Sequence, residues 1–233
     1  MLRVLLAEAE LERVPADIAG HPVVRRHAQA QDKRPGQLIL DQNHHGAALR
    51  GLPDGERRGR PDIVHYTLLS LLESPLCKQG GLEVAIHTRH GELLRIRPDT
   101  RLPRGEQRFA GLMAKVLTEG RSQDKEPLLW MEATCEPAEA LQRFATGPVV
   151  RLDEGGTPVD GASFAALADG GELTVVLGAF PSGPFSAAWQ TAVPTAVAVF
   201  PQPLNAWAVA AECCAWFRAA RACGARRAEH GRR

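Results

Sequence analysis

Apolar and polar positions along this chain follow two periods, and the elements they predict change character about half-way. Leu2 to Ala7 is a short apolar run suited to a buried strand. The acidic segment after it predicts a helix starting near Glu8. Asp32-Lys33-Arg34-Pro35-Gly36 is turn chemistry, and Gln37 to Leu49 reads as a helix, or a strand and a helix, carrying Asp41, His44 and His45. After a polar loop from Gly51 to Arg60, Pro61 opens a helix to about Glu73, since proline at the first helical position lacks only an N–H that would have no partner there. Leu82–Thr88 and Glu92–Arg97 alternate with period two around His90-Gly91 and predict a hairpin whose outward Arg95 and Arg97 either extend a basic surface or are simply solvated. Leu102-Pro103 biases the chain out of helix. A second helix then starts near Gly105, with Phe109, Leu112, Met113, Val116 and Leu117 on one face.

Gly120 to Glu126 has no apolar residue and marks a boundary between halves. Beyond it, short apolar runs at Leu128–Met131, Val149–Leu152, Leu173–Leu177 and Ala196–Phe200 alternate with helical stretches near Ala138–Phe144, Ser163–Ala168 and Phe185–Gln190. A last helix spans Leu204–Ala220. Strands apolar on both faces and spaced by helices predict an α/β fold with a parallel sheet covered on each side. Ligands of such sheets bind at the carboxyl ends of the strands. Here those ends supply Asp153-Glu-Gly-Gly-Thr157, Gly178-Ala-Phe-Pro-Ser-Gly183 and Pro201-Gln-Pro203.

Composition narrows this little. With 233 residues, 44% of them hydrophobic, the chain can bury a proper core. Its net charge of +1 hides an asymmetry, because the stretch from Arg218 to Arg233 holds six arginines against one acid. Bulk charge therefore gives no sign of nucleic-acid binding. Five cysteines without a C-x-x-C pair argue against a disulfide framework or zinc ribbon and fit a reducing compartment. The first residues lack a signal-like cleavage pattern, and no stretch approaches the length of a membrane span. A cytoplasmic location is expected.

Charge is more informative locally. Arg57, Arg58 and Arg60 precede one predicted helix, and Arg101, Arg104 and Arg108 surround the start of another. Cations are disfavoured at helix N-termini, so a bound anion would relieve the cost, and arginine forks suit phosphate. The alternative is that these are solvated side chains in a chain that prefers arginine to lysine. Adjacent His44 and His45 point about 100° apart on a helix and make a poor metal pair. Gly178 to Gly183 has Walker A spacing, but Pro184-Phe185 stand where lysine and a hydroxyl residue belong. Neither a dinucleotide fingerprint nor a G-x-S-x-G elbow is present, and Ser182 has no evident base. Taken alone, these glycines are as well explained by tight turns.

Together the segments resemble a family. Arg58-Gly-Arg-Pro-Asp-Ile-Val-His65, Ser74-Pro-Leu76, Ile86-His-Thr88, Thr100-Arg-Leu-Pro-Arg104, Arg108-Phe109 and Gly111-Leu-Met113, with Val175–Gly183 and Val199–Trp207, resemble in order the small-subunit ribosomal RNA pseudouridine N1-methyltransferases of the Nep/Emg type. Leu-Ala-Glu-Ala-Glu near the start and Asp41-x-x-His-His45 look like its archaeal branch. The resemblance implies a SPOUT-type α/β fold with a mostly parallel sheet and a C-terminal deep trefoil knot. It implies one domain over 1–233, with a basic RNA-binding part at about 50–118, a cofactor-binding knot at about 148–220 and a basic tail from 221. It also implies a homodimer without metal, acting on a small-subunit rRNA hairpin loop in ribosome biogenesis, and S-adenosylmethionine as cofactor. Carried over by position, Arg60, Arg101, Arg104 and Arg108 would contact RNA, with Asp62 supporting Arg60; no general base is named, Asp62 being the nearest carboxylate. Thr157, Gly178, Gly183, Val199, Phe200, Pro201, Gln202, Pro203 and Leu204 would hold the cofactor. Cys77, Gly105-Glu106 and Pro184 depart from the family pattern, and the tail has no counterpart. An RNA-binding assembly factor of the same fold with little or no catalysis is the other reading.

Overall fold

The computed structural model describes residues 1–123 and 125–230, with side chains through residue 222. Seven strands, β1 (Leu2–Ala9), β2 (Leu82–Thr88), β3 (Glu92–Ile96), β4 (Leu129–Thr134), β5 (Val149–Pro158), β6 (Leu173–Gly178) and β7 (Ala196–Ala198), form one sheet in the order β4-β3-β2-β1-β6-β5-β7. Pairing from β2 through β1, β6 and β5 to β7 is parallel. The hairpin strand β3 is antiparallel to β2, and β4 is antiparallel to β3. The run at Leu128–Met131, expected in the parallel part, is therefore an antiparallel edge. It also carries the sheet across the Gly120–Glu126 segment, where the sequence placed its boundary between halves.

Nine helices occur among the described residues. They are α1 (Pro22–Ala30), α2 (Gln42–Leu49), α3 (Pro61–Leu72), α4 (Pro75–Lys78), α5 (Glu106–Glu119), α6 (Pro137–Phe144), α7 (Gly161–Ala166), α8 (Ala187–Ala192) and α9 (Ala206–His230). Alternation along β1 separates two apolar layers. Leu2, Val4 and Leu6 join a core with Leu68 of α3, Met113 of α5, Phe164 of α7 and Cys213 of α9. Leu5 and Ala7 face the opposite layer, with Ala140 and Phe144 of α6 and Trp189 of α8. Burial on both faces explains the apolar run at the start of the chain, which only Arg3, paired with Glu83 and Glu172, interrupts. A third cluster holds Val24 and Ala28 of α1 against Leu40, Ala48 and Leu49 around α2. In α9, burial pushes the Cys214 thiol up to about 11, as suits a packing residue. Of the basic tail, residues 231–233 lie outside the described residues.

No helix begins at Glu8, contrary to the sequence reading. Glu8, next to the last residue of β1, is in a left-handed conformation (φ 49°), where the β1–β2 register shifts. The acidic segment is buried instead, Glu10 being 1% and Glu12 2% exposed. Its carboxylates meet arginines from later in the chain: Arg57 for Glu8 and Glu10, Arg58 for Glu12, and Arg89 for Glu10. Arg58 grips Glu12 with Nε and Nη2, both at 2.7 Å, and His90 Nε2 lies 3.0 Å from the same carboxylate. Burial acts to raise the Glu12 pKa, but hydrogen bonds from Arg58 and His90 outweigh it and bring the group down to about 2.

Candidate active site

Because β1, β6, β5 and β7 are parallel neighbours, their carboxyl ends open on one edge of the sheet. A cavity of about 510 Å³ lies there. The end of β6 contributes Gly178, and the loop after it contributes Phe180, Gly183 and Pro184. The β7–α9 connection contributes Val199, Phe200, Gln202, Pro203 and Leu204, and the looped-out part of β5 contributes Asp153, Glu154 and Gly155. Much of the wall is apolar, with these two carboxylates as its charged groups. Asp153 Oδ1 accepts from Gly155 N at 3.0 Å, which fixes this turn.

Two glycines in the β6 loop are required by geometry. A Cβ on Gly178 would lie 2.7 Å from Phe180 Cε1, and Gly183 adopts φ 86°. The loop folds over Phe180, whose ring meets Phe185 edge-on at 5.2 Å and carries the Arg57 guanidinium 3.7 Å above its centroid. Arg57 also donates to Pro184 O at 3.0 Å and to Glu8, while Glu8 Oε1 accepts from Ser186 N at 2.9 Å. The strained end of β1 and the arginine before α3 thus brace the loop from below.

This use of Arg57 and Arg58 corrects the sequence reading of the first arginine cluster. Both are neutralised by carboxylates some 46 to 49 residues away, so neither needs an external anion. Arg95 and Arg97 are likewise engaged, with Glu132 at 3.5 Å and Asp99 at 2.7 Å. Arg60 differs. It donates through Nε and Nη2 to the two oxygens of Asp62, at 2.8 and 2.7 Å, which holds its guanidinium at the start of α3 while part remains exposed. That hydrogen bonding raises the already high pKa of Arg60.

Arg101, Arg104 and Arg108 are exposed, and none forms an ion pair among the described residues within 4.0 Å. Their segment is nevertheless fixed. Thr100 Oγ1 donates to Leu128 O at 3.1 Å, and buried His65 of α3 places Nε2 2.7 Å from Pro103 O, with its ring stacked 4.3 Å from Phe109 of α5. Helix α3 therefore carries Arg60 at its start, holds the Arg101–Arg104 segment in the middle, and reaches the cavity loops further on. Tyr66 meets Trp207 edge-on at 5.5 Å, and Ser70 Oγ donates to Trp207 O at 3.2 Å, just beyond Leu204.

Of the residues singled out in the sequence for the cofactor, Gly178, Gly183, Val199, Phe200, Gln202, Pro203 and Leu204 meet around the cavity. Thr157 and Pro201 are not in its lining. Thr157 is exposed on β5 beyond the irregularity, paired in register with Val197, so its loop offers Asp153–Gly155 instead. Phe180, Phe185 and Val209 were missed, since nothing in an apolar residue's own sequence context separates a cavity wall from core. His45 spends both ring nitrogens within the protein, Nδ1 on Asp41 N at 3.0 Å and Nε2 on His27 at 2.9 Å.

Comparison with known proteins agrees over nearly the whole length. The family model for EMG1/NEP1 methyltransferase matches residues 4–218. The ribosomal RNA small subunit methyltransferase Nep1 of Thermococcus kodakarensis is 43% identical over 222 residues, 94% of this chain and 99% of the relative. Its counterpart in Methanothrix thermoacetophila is 38% identical over 212 residues, 91% of this chain and 93% of the relative. The crystal structure of Archaeoglobus fulgidus Nep1 bound to S-adenosylhomocysteine superposes with a TM-score of 0.84 at 33% identity, covering 94% of this chain and 98% of that one. With a SPOUT-type, mostly parallel sheet and matches of this extent, the chain belongs to the EMG1/NEP1 methyltransferase family.

Proposed function

We propose that this chain is an S-adenosylmethionine-dependent methyltransferase acting on N1 of a pseudouridine in a small-subunit rRNA hairpin loop, during ribosome biogenesis in the cytoplasm. The observation that carries this reading is the arrangement of the cavity loops and the Arg60 and Arg101–Arg108 segments around one helix, α3, in a family whose A. fulgidus member holds S-adenosylhomocysteine. The cavity fits the cofactor. Its 510 Å³ falls within the range of small-ligand pockets, its apolar walls suit an adenine ring, and Asp153 and Glu154 suit ribose hydroxyls or positive charge. When bound, S-adenosylmethionine would supply an electrophilic methyl group.

The work left to the protein is positioning, because an in-line transfer needs few acid–base groups. Arg60, Arg101, Arg104 and Arg108 would hold the RNA by its phosphates and favour an anionic N1 electrostatically. Asp62 acts as the partner of Arg60 rather than as a base, since both of its oxygens already accept from that guanidinium. The reading includes one domain, a C-terminal trefoil knot around the β6 and β7 loops, and a homodimer. Support for self-association comes from the exposed apolar side chains Tyr66, which meets Trp207, and Phe200 and Leu204, at 38%, 49% and 46% exposure. No helix among the described residues is long and apolar enough to cross a membrane.

The test is tritiated-methyl transfer to paired synthetic hairpins carrying pseudouridine or uridine at one loop position, followed by nucleoside mass spectrometry. Uridine is joined to ribose through N1 and has no proton there, so only the pseudouridine hairpin should be labelled. Equal labelling of both, or label on a ribose oxygen, would overturn the assignment. Hairpin binding without any transfer would favour an assembly factor.

A further inference from the structure

A second cleft, of about 560 Å³, runs between α1 with its following turn, the approach to α2, and the first half of α5. Arg26 and Lys33 line the α1 side. Both are exposed, and neither meets a carboxylate of the described residues within 4.0 Å; the same holds for Arg25 and Arg34 beside them in sequence. Of the carboxylates in the lining, Asp41 Oδ1 caps α2 by accepting from Asn43 N at 2.8 Å, and Glu106 accepts the Tyr66 hydroxyl. The lining thus holds two cations and two carboxylates, but both carboxylates are engaged within the protein while Arg26 and Lys33 meet no carboxylate of the described residues.

Neutral donors complement the cations. Asp41 N–H donates to His45 Nδ1, so the His45 proton sits on Nε2 and is given to His27 Nδ1, which leaves the His27 proton on its own Nε2. Burial is the main cause that lowers both imidazoles below the ordinary histidine range, His45 to about 4, so both are neutral at pH 7. On the α5 wall, Gln107 and Gly111 line the cleft, and Arg108 follows Gln107. Residues 107, 108 and 111 lie within about one turn of α5, so this wall adjoins Arg108 and the segment before it.

We infer that this cleft binds the ribose–phosphate backbone of the RNA stem adjoining the loop that carries the target base. Unpaired cations suit phosphates, neutral imidazole and amide donors suit phosphate and 2′-hydroxyl oxygens, and the small side of α5 at Gly111 admits a backbone closely. The inference rests on the RNA-methylating reading above.

The experiment compares a minimal pseudouridine hairpin with the same loop on a stem several base pairs longer, by fluorescence anisotropy over a salt series and by methyl transfer. An Arg26→Ala, Lys33→Ala variant, and separately Arg26→Glu with Lys33→Glu, is assayed beside the wild-type chain. The expected result is that wild type binds the long stem with the steeper salt dependence, and that the alanine pair lowers that slope by about 1.4–1.8, at roughly 0.7–0.9 per lost phosphate contact. Methylation of the minimal hairpin and the thermal shift given by S-adenosylhomocysteine should stay unchanged. Equal slopes for the two stems in wild type, an unchanged long-stem slope in both variants, or an altered oligomeric state by sedimentation as the sole effect would overturn the inference. Failure of wild type to methylate the minimal hairpin would instead overturn the functional reading.

Discussion

Arg58→Met removes the guanidinium that grips Glu12 and leaves a carboxylate that is only 2% exposed with His90 as its one remaining partner. Removing one member of a buried pair costs about 3–5 kcal/mol, most of it the desolvation of the abandoned charge. Glu12→Gln abandons Arg58, itself 8% exposed, and should cost a similar amount. Replacing both at once, as Glu12→Leu with Arg58→Met, strands no charge, so the double variant should lose far less than the sum of the singles. The pH dependence gives a second measure. A folded pKa of about 2 against an ordinary 4.5 corresponds, at about 1.4 kcal/mol per unit, to a contribution of about 3 kcal/mol. Since the folded pKa is the depressed one, that contribution is complete above 4.5 and disappears as pH falls toward 2. Urea unfolding of wild type and Glu12→Gln at pH 7 and in steps from pH 5 to pH 2 should show the stability gap closing through that window. Parallel pH curves, or a coupling below about 1 kcal/mol in the double-mutant cycle, would refute this account of the buried pair.

S-adenosylhomocysteine at a hundred times its dissociation constant should stabilise the protein by about 2.7 kcal/mol, read as a thermal shift. Gly178→Val should abolish that shift, because its Cβ collides with the rings of Phe180 and Phe185 that line the cavity. Arg101→Ala, Arg104→Ala and Arg108→Ala should each lower the log–log salt slope of hairpin binding by about 0.7–0.9 while the cofactor shift persists; three unchanged slopes would return them to solvated surface. Asp62→Ala should weaken hairpin binding as Arg60→Ala does, and should also cost about 0.3–1 kcal/mol of stability from the lost charge at the start of α3. Normal binding by the Asp62 variant would show that Arg60 needs no support.

What the sequence disclosed depended on how far apart the cooperating residues lie. Pro61, the alternation of Leu82–Thr88 and the apolar face of Phe109 and Met113 are local signals, and each produced the expected element. The acidic segment failed because its environment is set by Arg57, Arg58 and Arg89, so a run that reads as solvated helix is a buried set of counter-ions. For the same reason no inspection of Arg57 and Arg58 could separate them from Arg60. Loop residues were legible where a backbone requirement marks them, as at Gly183, and not where the loop's path decides, as at Thr157 and Asp153. The antiparallel edge at β4 was hidden because an apolar run carries no direction.

The place of β1 in the sheet bears on how the chain is made. Leu2–Ala9 pairs on one side with β2 and on the other with β6, whose first residue is Leu173. At about 5–20 residues per second, the strand waits roughly 8–35 s for that second neighbour. During this interval one edge of β1 and β2 is an unpaired template lined by Leu2, Val4, Leu5 and Leu6, the kind of surface that invites association between nascent chains. Ordering the sheet around its earliest strand therefore gives the protein a long vulnerable stage and a slow, non-local closing step. Refolding should accordingly be limited by the arrival of β6, and chains truncated before Leu173 should aggregate rather than accumulate as a folded N-terminal half.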